Sequence, residues 1–225
     1  MNPAIVIRRP QVLDKSYAPN QVLKQRLTAN LVICPFHAIY SRFSCEGREN
    51  VVGTGPFVIV SNHLSYFDPP LLVISTGEPL IFVAKKELFQ IPIFNHVIKF
   101  FDSIGIDRGK PSTSSIREVK KAIDAGWSIG IFIEGTRSKT PGVLGKPHIG
   151  PAYFAWSNKL PIVPVGLIGT NKRFGKARAK IGKLIQPSRD INGTTWEIMA
   201  SLSELTGYGL PPRQEKGQPQ EQEVG

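Results

Sequence analysis

The sequence predicts an α/β fold, on two observations. From Pro56 onward, short apolar β-like runs alternate with segments whose apolar residues recur at helical spacing. The 225 residues are 41% hydrophobic and 20% charged, which suits one globular domain with an accessory segment. Such a composition excludes a disordered chain, two Cys exclude a disulfide scaffold, and a mean hydropathy of −0.09 excludes a multi-span membrane protein.

The elements follow in chain order. Met1 to Ile7 is too short for a signal peptide, and Arg8, Arg9 and Pro10 follow the apolar run instead of preceding it, so a cytoplasmic setting is expected. Leu27 to Tyr40 is only 14 residues long and contains Pro35 and His37, too little to span a bilayer. The apolar surface of Leu27 to Phe43, bracketed by Arg26 and Arg42, fits either a segment lying at a membrane interface or an ordinary buried helix. The β-like runs are Phe57 to Val60, Leu80 to Ala84, Ile104 to Ile106, Ser128 to Ile133, Ile162 to Ile168 and Ala179 to Ile185. Ser115 with Glu118 reads as a capping box, Ile116, Val119 and Ile123 as one helical stripe, and Gly126 as a left-handed stop. A last helix is expected over Thr194 to Thr206, with Trp196, Met199, Leu202 and Leu205 packing inward. Beyond Tyr208 the chain turns to Pro, Gln, Glu and Gly and reads as a flexible tail. The division expected is an N-terminal helical segment over 1–45, an α/β domain over 46–208 and a tail over 209–225.

Three strand ends carry candidate chemistry. Ser61 to Asp68 directly follows an apolar strand, and in open α/β sheets ligands bind at the carboxyl ends of strands. On one continuous helix His63 and Asp68 would point about 140° apart. They can meet only if the chain turns, and Pro69 and Pro70 disfavour an uninterrupted helix. In contact, Asp68 would fix the imidazole tautomer and His63 would be a general base. After the strand Ser128 to Ile133, Glu134-Gly135-Thr136-Arg137-Ser138 makes an anion cradle, from a close-approaching glycine backbone, two hydroxyls and a guanidinium fork. Glu134 is out of place against an anion and is expected to pair with an arginine. Arg108, between glycines after a third short run, is in place to reach the same crevice. Cys34 and Cys45 form no metal-ligand pattern.

The ordered set Asn62-His63 with Asp68, Asp107-Arg108, Phe132 with Glu134-Gly135-Thr136-Arg137-Ser138, and Leu160-Pro161-Ile162-Val163-Pro164-Val165 resembles the glycerolipid acyltransferases, in particular the 1-acylglycerol-3-phosphate acyltransferases. The resemblance covers roughly residues 40 to 190. It implies a central mixed, largely parallel sheet flanked by helices, and transfer of an acyl chain from acyl-CoA or acyl-acyl-carrier-protein to lysophosphatidate. It also implies His63 as the base and Asp68 as its orienting partner. Arg108 and Arg137 would hold the acceptor phosphate, with Asn62, Glu134, Gly135, Thr136 and Ser138 shaping that site. Neither a metal nor a bound cofactor is implied. Ile133 stands where the family commonly has Pro, and Gly145 to Gly150 only loosely follows the family's basic-plus-glycine stretch.

The formal charge of +11 asks for an anionic partner. Lys172, Arg173, Lys176, Arg178, Lys180 and Lys183 have no acid among them and suit an anionic membrane leaflet, although an acyl-CoA or an acidic acyl carrier protein would meet them equally well. The expected location is the cytoplasmic face of a membrane, peripheral or monotopic. Nucleic acid is not expected as a partner, because no recognisable binding motif accompanies the charge. Another acceptor, glycerol-3-phosphate or a different lysolipid, is the alternative within the same chemistry.

Overall fold

The structure, a computed structural model, describes residues 21–27, 43–51, 55–90, 103–106, 113–138, 140–172 and 176–212. Among these, β1 (Ser44–Glu46), β2 (Val58–Ser61), β3 (Leu80–Lys85), β4 (Ile104–Ile106), β5 (Ser128–Phe132), β6 (Ile162–Ile168) and β7 (Arg178–Ile181) form one sheet in the order β1-β7-β6-β2-β5-β3-β4. Every neighbouring pair is parallel except β6 with β7. The helices are α1 (Gln21–Leu27), α2 (Asp68–Thr76), α3 (Thr113–Asp124), α4 (Gly150–Ser157) and α5 (Ile191–Thr206).

Parallel strands buried on both faces read as continuous apolar runs, and β2 (Val-Ile-Val) and β6 (Ile-Val-Pro-Val) do so. Alternate residues feed opposite cores. Val58, Val60, Ile129 and Ile162 pack with Val119 of α3, Ala152 of α4 and Met199 of α5. Ile59, Val163, Val165 and Leu167 pack with Leu72 and Val73 of α2 on the other face. Each such side chain fully buried contributes about 1.5–3 kcal/mol. Gly166 lets α5 settle on the sheet, because a Cβ there would lie 2.8 Å from Leu205 Cβ.

β2 lies between β6 and β5, all three parallel, so their carboxyl ends share one edge. β7, which follows β6 in the chain, lies antiparallel beside it. Gly169 makes the turn at φ 68, where a Cβ would come within 2.7 Å of the Lys176 carbonyl.

Several sequence expectations need correction. The helix expected to be capped at Ser115 starts at Thr113, and Ser115 is buried inside it, donating its hydroxyl to the Gly105 carbonyl at 2.9 Å. The buried stripe is therefore Ser115, Val119, Ala122 and Ile123, with Ile116 turned outward. α5 begins at Ile191 because the Asp190 carboxylate caps it, accepting from Gly193 N–H at 2.9 Å. β7 ends at Ile181, and Ile185 rejoins the sheet only through an isolated bridge to Ile162. β1 carries no apolar pattern and is held by its backbone register to β7. Gly126, at φ 86, is the left-handed stop expected. Of the interfacial segment, residues 28–42 lie outside the described residues, as do 213–225 of the tail. Among the described residues no helix is long and apolar enough to cross a membrane.

Candidate active site

His63 leaves the carboxyl end of β2 in a turn, and Asp68 opens α2 five residues on. Pro69 and Pro70 stand in the first turn of α2, where their missing N–H groups cost nothing, so the helix starts at Asp68 and cannot reach back to His63. The geometry that a single helix forbids is thereby available: His63 Nδ1 lies 2.8 Å from Asp68 Oδ2. The same oxygen accepts from Leu64 N–H at 2.6 Å and Ser65 N–H at 2.7 Å. An oxygen that only accepts requires the proton on Nδ1, which leaves the lone pair of Nε2 as the base. Asp68 is fully buried, and its other oxygen, Oδ1, has no protein partner. The imidazole stacks on the Phe132 ring at 4.0 Å and 17°.

The loop after β5 grips the backbone of His63 from both sides. Glu134 Oε1 accepts His63 N–H at 3.1 Å, and Ser138 N–H donates to the His63 carbonyl at 2.7 Å. Glu134 Oε2 accepts Gly145 N–H at 2.8 Å, so one carboxylate joins three segments of the chain. Burial pushes the Glu134 carboxyl above its ordinary 4.5, opposed by these two N–H bonds and by His63 and reinforced by the nearby Asp68 charge. Gly135, at φ 67, closes the turn by donating its N–H to the Phe132 carbonyl at 3.0 Å.

Three expectations change here. Glu134 binds the backbone N–H groups of His63 and Gly145 and no arginine among the described residues, because the loop turns its carboxylate inward under His63. Asn62 does not face the crevice: it is buried, its amide donates to the Leu167 carbonyl at 2.9 Å and its oxygen accepts Leu167 N–H at 2.7 Å, tying β2 to β6. The Ser138 hydroxyl turns to the carbonyls of Thr140 and Val143, at 3.2 and 3.0 Å. Thr136 and Arg137 are exposed, and the Arg137 guanidinium lies 3.8 Å over the centre of the Tyr66 ring. Arg108 lies outside the described residues.

A buried carboxylate–imidazole pair, with no nucleophile hydrogen-bonded to it among the described residues, is suited to deprotonating an incoming hydroxyl. A profile of the acyltransferase family matches residues 42–168, the span that holds both loops and β6. The chain belongs to the acyltransferase family. Relatives of this acyltransferase include the chloroplastic 1-acyl-sn-glycerol-3-phosphate acyltransferase BAT2 of Brassica napus, 31% identical over 65% of this chain and 42% of that one. The 1-acyl-sn-glycerol-3-phosphate acyltransferase of Bacillus subtilis is 32% identical over 61% of this chain and 67% of its own. The chain spans 42% of the Brassica relative and 52% of a Borreliella burgdorferi one. In fold it resembles the crystal structure of the 1-acyl-sn-glycerophosphate acyltransferase PlsC from Thermotoga maritima, with a TM-score of 0.64 at 24% identity, covering 85% of this chain and 80% of that one.

Some contributors to this acyltransferase's site gave little sign in the sequence. Gly145 is required by contact, since a Cβ there would lie 2.5 Å from Glu134 Oε2, and the irregular stretch after Ser138 hid it. Leu167 acts only through its backbone. Tyr208, after α5, is partly buried, which raises its hydroxyl pKa, opposed by the nearby Gly169 backbone, and it feels both Asp68 and Arg178. That places it beside the β6–β7 turn, 145 positions from His63 in sequence.

Proposed function

We propose that this acyltransferase moves an acyl chain from a thioester, acyl-CoA or acyl-acyl-carrier-protein, to the free hydroxyl of 1-acylglycerol-3-phosphate, giving phosphatidate at the surface of an anionic membrane. The observation that carries the reading is the His63–Asp68 pair, with Nδ1 bound to the buried carboxylate at 2.8 Å and Nε2 left as the base. The acceptor hydroxyl gives its proton to Nε2 as its oxygen attacks the thioester carbonyl. Asp68 compensates the charge on the imidazolium and holds its orientation. When the tetrahedral intermediate collapses, the C–S bond breaks and the imidazolium returns the proton to the departing sulfur, leaving ester and free thiol. No acyl-enzyme forms, and no cofactor enters the step.

The Glu134 carboxylate serves as a positioning group, fixing the backbone of His63 relative to the loop that carries Arg137. Arg137 offers its fork to the acceptor phosphate while resting on Tyr66, and Arg108 is the second cation proposed there. The acceptor is preferred to glycerol-3-phosphate because the relatives named above are 1-acyl-sn-glycerol-3-phosphate acyltransferases.

The test is acyl transfer from a labelled thioester to lysophosphatidate in vesicles, with the unmodified protein and a folded His63→Ala variant. Phosphatidate formed only by the former supports both reaction and base. Product surviving in His63→Ala defeats the mechanism, and transfer to glycerol-3-phosphate alone defeats the acceptor.

A further inference from the structure

Eleven of the 28 Lys and Arg lie between Glu134 and Asp190, where there is no Asp or Glu. The whole excess of +11 therefore comes from this stretch, since the other 17 cations balance the 17 acids. α4 lies within it, and none of its residues is charged. Pro151, Ala152, Phe154 and Ala155 are buried against the sheet. Ile149, just before the helix, Tyr153 and Trp156 recur four and three residues apart and so share the opposite side, 57%, 46% and 38% exposed. The rings of Tyr153 and Trp156 lie 6.2 Å apart. Exposed Lys146 and His148 precede this stripe and exposed Lys159 follows it. A helix apolar on every side asks for a cover that the described residues do not supply.

We propose that this outer face of α4 is an anchor for an anionic bilayer, with Ile149, Tyr153 and Trp156 entering the interface and Lys146 and Lys159 meeting lipid phosphates. Tyr and Trp suit that depth because an apolar ring ends in a polar tip, and the surrounding acid-free sequence adds attraction to anionic lipid. A second copy of the chain is a poorer occupant. A stable protein interface buries about 800 Å² per partner, far more than two helical turns supply. Two such faces related by a twofold axis would also bring lysines toward lysines. The anchor begins at the catalytic edge, because His148 N–H donates at 2.9 Å to the carbonyl of Ile133, the residue following β5. This rests on the reading of the acceptor as a lipid, whose hydroxyl would be presented beside His63.

The experiment mixes the full chain with vesicles of phosphatidylcholine alone or with added phosphatidylglycerol, and reads flotation and tryptophan quenching by brominated acyl chains. Expected are flotation with the anionic vesicles, quenching that Trp156→Phe abolishes, and a loss of about tenfold in the bound fraction for the pair Ile149→Ser and Tyr153→Ser. Turnover of a water-soluble short-chain lysophosphatidate should stay unchanged in that pair. The proposal is overturned if the double variant floats as well as the parent, if Trp156 escapes quenching, or if soluble turnover falls with binding. A doubled mass in sedimentation that the double variant lost, without vesicles, would assign the face to a second copy instead. Absence of turnover with any lysolipid would defeat the acceptor reading alone, leaving flotation and quenching to decide the anchor.

Discussion

His63 and Arg137 leave adjacent strands at the same edge of the sheet, yet they are held to opposite degrees. The His63 backbone is bonded on both sides, its ring is pinned by Asp68 at 2.8 Å, and Phe132 lies against its face. Arg137 is exposed and rests on the ring of Tyr66. Proton transfer tolerates little misplacement, and the proposed base sits in a network whose hydrogen bonds are already formed. On the proposed reading, a charged headgroup would be met by a solvated fork that can adjust its angle. If this contrast is functional, perturbing the first region should strike turnover and perturbing the second should strike affinity.

The largest effect belongs to the base. His63→Ala should lower kcat toward the upper end of the about 10²–10⁴-fold range typical of a general base, and Asp68→Asn toward the lower end, both with KM little changed. Steady-state kinetics on vesicle-bound enzyme checks this, and a loss confined to KM would break the contrast. Next is Asn62→Ala, which strips two buried bonds from the Leu167 backbone. It should destabilise by about 1–3 kcal/mol for each group left unpaired, measured by denaturant unfolding, with the pH profile of the remaining activity unmoved.

Arg137→Ala should raise KM for lysophosphatidate about tenfold at nearly constant kcat, with Arg137→Lys in between. An unchanged KM would remove Arg137 from the acceptor site.

Glu134 gives a finer test. Burial raises its folded pKa, so the stability it contributes is fully present below the ordinary value of 4.5 and lost as pH rises through the raised one. Glu134→Gln abolishes that titration. As pH climbs from 4.5 the melting temperature of the unmodified protein should therefore fall relative to the variant's, whatever constant offset the lost hydrogen bond adds. A difference independent of pH would mean that Glu134 is not raised. Smallest of all, Tyr66→Leu removes a cation–π contact of about 0.5–1 kcal/mol and should raise KM two- to fivefold by the same constant.

Much of this site was legible because its signals are local. His63 and Asp68 stand five apart with prolines behind them, and a strand precedes each motif, so their placement at strand ends follows from chain order in a parallel sheet. Glu134 was misread because its partners were not local. Its fit to an arginine is a matter of charge, whereas its bonds to His63 and Gly145 depend on how two loops stack. Asn62 was misassigned for a similar reason: next to a catalytic histidine it looks like a ligand, and only the pairing of β2 with β6 points it at Leu167. The capping box failed because the carbonyl of Gly105 offers Ser115 an alternative to its own helix.

By itself the sequence determined the α/β alternation, the turn that lets His63 meet Asp68, and the location of the positive charge, since each depends on residue type and spacing over a few positions. Only the tertiary structure decided which groups hold His63 still, that β1 joins the sheet, and that α4 turns an apolar face away from the core formed by the described residues. Those outcomes depend on contacts between residues as far apart as 71 positions for Glu134 with His63 and 105 for Asn62 with Leu167, and no local periodicity encodes a hydrogen bond across that distance.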